Sequence, residues 1–279
     1  MSTRPNLRTI DDIITGDCLE VLPLLPARAV NLVFSSPPYP GQMGNGQSVG
    51  EWLDWLGCVL GRLRPALAAN AVVALNVAFK RLAAGWHDAR VFSAVPPIFE
   101  ANGFNSLDTY IWRKTNGPQN GPLTYADAPG YEPIFVYTTA QRPGDVTFNP
   151  QYKLYAEKSI SADGMARIGN GRVKPPNGDG ARQTNVISLP TVASDGRRPR
   201  ARGVSFPLAL PDRFIRQYTR PGDVVLDFCA GVGTTCRAAR DLGRGYIGIE
   251  VEPDEADRAR AWLGEPAQAR LLATGGDDW

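Results

Sequence analysis

Ser36, Pro37, Pro38 and Tyr39 follow directly on the apolar run Val30-Asn31-Leu32-Val33-Phe34. The run predicts a short buried strand. Two prolines then end it, because proline lacks the N–H a ladder needs and restricts the residue before it. A hydroxyl, a backbone carbonyl without a ladder role and an aromatic ring are thus set at the carboxyl end of a strand. Open α/β sheets bind their ligands at that edge. A planar base bearing an amine could be held there. Its ring would lie against Tyr39 and its amine protons on Ser36 Oγ and the Pro37 carbonyl. Taken alone, the four residues read more readily as a turn in polyproline conformation.

A second motif changes that balance. Asp223-Val224-Val225-Leu226-Asp227-Phe228-Cys229-Ala230-Gly231-Val232-Gly233-Thr234-Thr235 reads as a strand, a glycine-rich turn and a helix from about Thr234 to Leu242. Gly245 to Glu250 reads as a second strand that ends in a carboxylate. Together they predict a βαβ unit, with an acid about 20 residues beyond the glycines as a ribose-binding site requires. Gly231 and Gly233 would let the backbone approach a ligand closely, and Glu250 could accept both ribose hydroxyls.

With both motifs in place the chain resembles the β-class of S-adenosylmethionine-dependent DNA amino-methyltransferases. The resemblance is carried by Thr15 to Leu22 as an opening Gly-Asp segment and by Val33 to Tyr39 as the catalytic motif. Ile111 to Lys114 and Tyr131 to Phe135 resemble the strands beyond the catalytic loop, and Ser205 to Pro211 the segment before the cofactor motif. The chain departs from the family pattern at Phe228-Cys229, at Val232 and at Arg202 to Ser205, where the family's histidine is missing. The resemblance implies a Rossmann-like class I α/β fold in circularly permuted order. Its sheet is mostly parallel with helices on both faces, and an irregular target-recognition insert is added. It implies catalytic roles for Ser36, Pro37, Pro38 and Tyr39. It implies S-adenosyl-L-methionine contacts for Asp17, Phe206, Asp227, Phe228, Gly231, Gly233, Thr234, Thr235 and Glu250.

The chemistry agrees with those residue types. An exocyclic amine is a poor nucleophile, because its lone pair is delocalised into the ring. Acceptors on both amine protons favour a pyramidal nitrogen and stabilise the charge that develops as it attacks a sulfonium methyl. Such a base must leave the helix stack, and Tyr39 could offset part of that cost. None of the four cysteines follows a proline, so cysteine-based methylation at C5 is disfavoured. Serine at the first motif position resembles the N4-cytosine enzymes. N6-adenine transfer by the same class is the alternative. An oxidoreductase is more distant, since Cys236 replaces the third glycine of a dinucleotide fingerprint. An inactive DNA-binding protein on the same fold is equally distant.

The 279 residues fit one large domain, or one domain with an insertion. No apolar run is long enough for a membrane span and no apolar leader core is present, so the expected location is cytoplasmic. The single histidine, His87, and the absence of a Cys-x-x-Cys spacing argue against a metal site. The net charge of +2 hides an asymmetry: 11 Lys/Arg face 5 Asp/Glu between Thr138 and Ser205, and 4 Arg face 9 Asp/Glu from Asp241 onward. The basic stretch has poor periodicity and many Gly and Pro residues. A long irregular loop inside a compact domain usually has a task. Residues 138–203 are therefore expected to be a recognition insert, with 1–137 and 204–279 forming the catalytic and cofactor-binding domain. Lys153, Arg172, Lys174, Arg197, Arg198 and Arg200 are its candidate contacts to double-stranded DNA. The resemblance also allows a cognate restriction endonuclease acting separately.

For the elements, helices are expected from Glu51 to Ala69, Phe92 to Asn102, Leu208 to Tyr218 and Pro253 to Leu263. Strands are expected at Ala71 to Val77, Ser106 to Trp112 and Glu132 to Thr138, the last two as antiparallel neighbours. Pro40 to Gly50 and Thr115 to Gly130 read as loops, and Gly275 to Trp279 as a frayed tail.

Overall fold

A computed structural model describes residues 10–39, 48–78, 80–81, 87–88, 91–115, 130–153, 166–167, 173–174, 181–191 and 206–264. Eight strands form one sheet: β1 (Asp12–Thr15), β2 (Val30–Ser35), β3 (Leu67–Asn76), β4 (Asn105–Lys114), β5 (Tyr131–Thr138), β6 (Val186–Leu189), β7 (Val224–Asp227) and β8 (Gly245–Glu250). Their order across the sheet is β1-β8-β7-β2-β3-β5-β4-β6. All neighbours run parallel except β5, which is antiparallel to both β3 and β4. The expected antiparallel pair is thus present, with Trp112 opposite Glu132.

Alternation along the strands supplies two cores. Val33, Val73, Leu75, Phe135 and Leu226 point to one face, against α1 (Cys18–Val21), α2 (Val49–Leu63) and α3 (Val91–Ala101). Leu32, Phe34, Val72, Ala74 and Val225 point to the other, against α4 (Ala209–Tyr218), α5 (Thr234–Asp241) and α6 (Pro253–Gly264). The period of two along each strand makes this division automatic. Each fully buried Leu, Val or Phe contributes roughly 1.5–3 kcal/mol. Helix α4 buries Leu210, Phe214, Ile215 and Tyr218, which share one face at helical spacing.

Helix α2 starts where the sequence permits it. Ser48 Oγ accepts from the Glu51 amide at 3.2 Å, and Glu51 Oε2 accepts from the Ser48 amide at 2.8 Å. This reciprocal cap satisfies two orphan donors. The helix ends earlier than its apolar spacing suggests. Pro65 sits in a tight 3-10 turn over Arg64–Ala66, and Leu67 already begins β3.

The largest departure lies inside the expected irregular insert. Val186–Leu189 is an edge strand of the main sheet, parallel to β4. It is four residues long with only Leu189 buried, so its signal is lost among neighbouring turns. The start of the insert also docks on the domain: Asn149 Nδ2 donates to the carbonyls of Arg216 and Thr219 at the end of α4, both at 3.0 Å. Lys153 and Lys174 fall in two-residue strands. Arg172, Arg197, Arg198 and Arg200, most of the Pro40–Gly50 and Thr115–Gly130 loops, and the C-terminal tail lie outside the described residues.

Candidate active site

One edge of the sheet gathers the carboxyl ends of β2, β3, β4, β7 and β8 with the amino end of β5. Ser35 closes β2, is fully buried, and donates through Oγ to Asp227 Oδ1 at 2.7 Å. This bond ties the end of β2 to the end of β7, the strand before the glycine loop. Ser36 next to it is half-buried, Pro37 is buried and Pro38 is exposed. The Pro38 carbonyl accepts from Trp52 Nε1 at 2.9 Å, and Trp52 is itself in the core. The indole therefore fixes the turn.

The Ser36 hydroxyl meets a polar cluster. It lies 2.9 Å from the Tyr39 hydroxyl and accepts from Asn76 Nδ2 at 3.1 Å. Asn76 ends β3 and is 1% exposed. Its Nδ2 also donates to Glu132 Oε2 at 2.7 Å. Glu132 Oε1 accepts from Lys114 Nζ at 2.6 Å, a pair that is mostly shielded from solvent. The Lys114 ammonium rests over the Trp112 ring, 5.3 Å from its centroid. Tyr39 closes the ring of contacts, with its hydroxyl 3.5 Å from Glu132 Oε2. Burial, and then the Glu132 charge, hold the Tyr39 phenol well above its ordinary value. Tyr39 therefore keeps its proton.

Asn76, Glu132 and Lys114 were not among the residues singled out by the motifs. A sequence signal existed: each is a polar residue at the end of an apolar strand run. Pairing β3, β5 and β4 side by side makes one cluster of them.

The glycine loop has two different glycines. Gly231 has φ +52°, and a Cβ built on it would meet nothing within 4 Å, so open space lies beside its backbone. Gly233 has φ +81°, and its Cβ would stand 3.1 Å from the Ala259 Cβ of α6. Helix packing therefore requires a glycine at position 233. Glu250 at the end of β8 accepts from the Gly231 amide at 2.7 Å and from the Glu252 amide at 2.9 Å. The acid thus shapes the loop as well as facing it.

Asp227 is 1% exposed and also accepts from the Cys229 amide at 3.1 Å. Burial pushes its carboxyl up to about 6, against hydrogen bonds from Ser35, Thr235 and Cys229 that pull it down. Thr235 Oγ1 donates to the Phe34 carbonyl at 3.3 Å, and Thr234 is buried beside it. Asp17 caps α1 by accepting from the Leu19 amide at 2.8 Å, and the Gly16 amide donates to the Glu250 carbonyl at 2.9 Å. That places the opening Gly-Asp segment beside the ribose-type acid. Phe206 packs edge-on against Phe34 with centroids 5.4 Å apart. The Phe228 side chain is core, 1% exposed and 6.4 Å from the Trp55 ring. Among the described residues no group of His, Cys, Asp and Glu could hold a metal ion. Among the same residues no helix is long and apolar enough to cross a membrane.

The sequence matches the DNA methylase family, which comprises the N6 and N4 methyltransferases, over residues 30–261. The chain belongs to that family. The match runs from the first residue of β2 into α6, so it takes in both motifs. Type II methyltransferase M.ScaI of Streptomyces caespitosus is 26% identical over 281 aligned residues, covering 95% of this chain and 86% of that protein. PvuII DNA methyltransferase (cytosine-N4-specific) superposes with a TM-score of 0.71 at 18% identity, covering 93% of this chain and 88% of that one. A DNA modification methylase of Thermus thermophilus, solved in complex with S-adenosyl-L-methionine, superposes with a TM-score of 0.61 at 24% identity. It covers 90% of this chain and 92% of that one. The resemblance drawn from the motifs, and the α/β methyltransferase fold it implied, are borne out. A nicotinamide oxidoreductase is set aside; Cys236, at the third-glycine position, is fully buried in the core.

Proposed function

We propose that this DNA methylase transfers a methyl group from S-adenosyl-L-methionine to the N4 amine of a cytosine extruded from double-stranded DNA. The observation that carries the reading is the Ser36 hydroxyl. It stands at the sheet edge one residue from Ser35, whose bond to Asp227 joins it to the glycine loop. Serine rather than a carboxylate at this position favours cytosine N4. Adenine N6 is the alternative amine.

The residues present fit the cofactor. Gly231 leaves open space beside its backbone, and each Glu250 oxygen uses only one of its two lone pairs on the chain's own amides. Gly231, Glu250, Asp17, Thr234, Thr235 and Phe206 would hold it, with Asp227 fixing the loop between them. The bound cofactor supplies an electrophilic methyl group on a sulfonium. Ser36 Oγ and the Pro37 carbonyl accept the amine protons and stabilise the positive charge that grows on nitrogen. Tyr39 and the shielded cluster behind it keep the base in place, and positioning carries much of the rate. No covalent intermediate on the chain is required. The segment 138–203 serves as the DNA-reading insert, with β6 anchoring it to the sheet, and a separate restriction endonuclease is a compatible partner.

The test is incubation with labelled S-adenosylmethionine and DNA, followed by digestion to nucleosides. N4-methylcytosine is the expected product. N6-methyladenine would move the assignment to the alternative amine. Label at C5 of cytosine would overturn the mechanism, and no label would leave only a DNA-binding role.

A further inference from the structure

We infer that Glu132, backed by Lys114, is a positioning residue that fixes the direction of every hydrogen bond at Ser36, and so makes Ser36 an acceptor rather than a donor toward the base. The inference rests on the function proposed above and adds a determinant of which base that site accepts.

Donors and acceptors in this cluster can be matched in only one way. A carboxylate can only accept. Glu132 Oε1 is taken by the Lys114 ammonium at 2.6 Å, which balances its charge. Oε2 therefore requires donors from its other two neighbours. Asn76 must present Nδ2 to it, which the 2.7 Å contact satisfies, and this sets the amide orientation. The second Nδ2 proton then points to Ser36 Oγ at 3.1 Å, which is closer than the Tyr39 hydroxyl at 3.4 Å. Tyr39 has one proton, and its contact to Glu132 Oε2 uses it. The bond between Ser36 and Tyr39 at 2.9 Å must then run from Ser36 to Tyr39. Ser36 has one proton and two lone pairs. Its proton is committed to Tyr39 and one lone pair to Asn76, so one lone pair remains. An amine donor suits that lone pair, whereas a carbonyl oxygen is repelled by it. Asn76 Oδ1 has no hydrogen-bond partner although the residue is 1% exposed. That is the cost of turning the amide toward Glu132.

Cytosine and uracil separate the possibilities, because they differ at position 4 by an amine against a carbonyl. Duplexes carrying either base at the mapped target position would be compared for affinity, and the cytosine duplex for single-turnover rate. Extrusion costs differ between the two duplexes but are the same for every variant, so they cancel when a variant's cytosine-to-uracil ratio is divided by that of the wild-type chain. Glu132→Gln places an amide that can also donate, so the bond directions can reverse. The ratio should fall by on the order of 10-fold or more, with slower transfer and unchanged S-adenosylmethionine affinity. Glu132→Asp keeps an acceptor-only group and should retain most of the preference. If Glu132→Gln fails to fold, Tyr39→Phe carries the test. It removes the hydroxyl that takes the Ser36 proton, so that proton can turn to a carbonyl and the ratio should fall there too. A wild-type ratio in Glu132→Gln, or in Tyr39→Phe where that variant stands in, would overturn this assignment alone. So would a loss as large in Glu132→Asp as in Glu132→Gln. No transfer to cytosine N4 by the wild-type chain would overturn the functional reading and this assignment with it.

Discussion

At the residue scale, the two motifs are joined by two buried hydrogen bonds, Ser35 to Asp227 and Thr235 to the Phe34 carbonyl. The folded Asp227 titrates at about 6 against an ordinary 3.8, chiefly through burial. The folded chain thus binds that proton more tightly than the unfolded one. Between these two values, rising pH works against folding. Asp227→Asn removes the titration and keeps an acceptor for Ser35 and for the Cys229 amide. Its stability should equal wild type near pH 4 and exceed it above pH 6, by on the order of 1–3 kcal/mol, in denaturant titrations at both pH values. A gap that does not widen with pH would show that the carboxylate is not desolvated. Ser36→Ala removes the acceptor on the developing charge. It should slow single-turnover transfer about 10 to 100-fold and leave cofactor affinity nearly intact. A full rate would reduce the motif to a turn. Ser36 and Tyr39 could be read from the sequence because two prolines mark the place. Asn76, Glu132 and Lys114 show in the sequence only as polar residues at the ends of apolar runs, because their meeting depends on β5 running antiparallel between β3 and β4.

At the scale of elements, the glycine loop separates two causes that the motif alone combines. Both glycines have positive φ, where a side chain costs roughly 1–2 kcal/mol. At Gly233 a Cβ also presses on Ala259 at 3.1 Å, so α5 and α6 must part. Gly233→Ala should therefore destabilise the fold more than Gly231→Ala does. Gly231→Ala should instead weaken cofactor binding while its melting temperature falls less. Calorimetry on both variants checks this, and equal melting temperatures would remove the packing role of Gly233. The strands and helices themselves were largely legible, because period-two and period-3.6 apolar patterns map directly onto the two cores. The exceptions have local causes. Pro65 ends α2 while the apolar spacing continues, and β6 is too short and too exposed to announce itself.

At the scale of the molecule, charge is unevenly distributed along the chain. The basic segment from Thr138 to Ser205 carries 11 Lys/Arg against 5 Asp/Glu, while the stretch from Asp241 onward is acidic. The run containing Arg197, Arg198 and Arg200 lies between Thr191 and Phe206. Thr191 is fully buried two residues after β6, and Phe206 packs on Phe34 of β2. Both described ends of that run are therefore fastened to the sheet that carries Ser36. Under the proposed function, the charge of that run would serve phosphates of a duplex. Each phosphate contact should add about 0.9 to the slope of log affinity against log salt. Neutralising the three arginines together should flatten the slope by up to three such steps, with the cytosine-to-uracil ratio unchanged. A single arginine reading guanine would instead relax sequence choice, at a cost of roughly 1–3 kcal/mol. The decisive comparison exchanges residues 138–203 for the insert of another family member, keeping the β6 residues Val186–Leu189 so that the sheet edge stays intact. The chimera should methylate the donor's site. If it still methylates the original site, sequence choice resides in the loops after Tyr39 or after Thr115, and the basic segment supplies affinity alone.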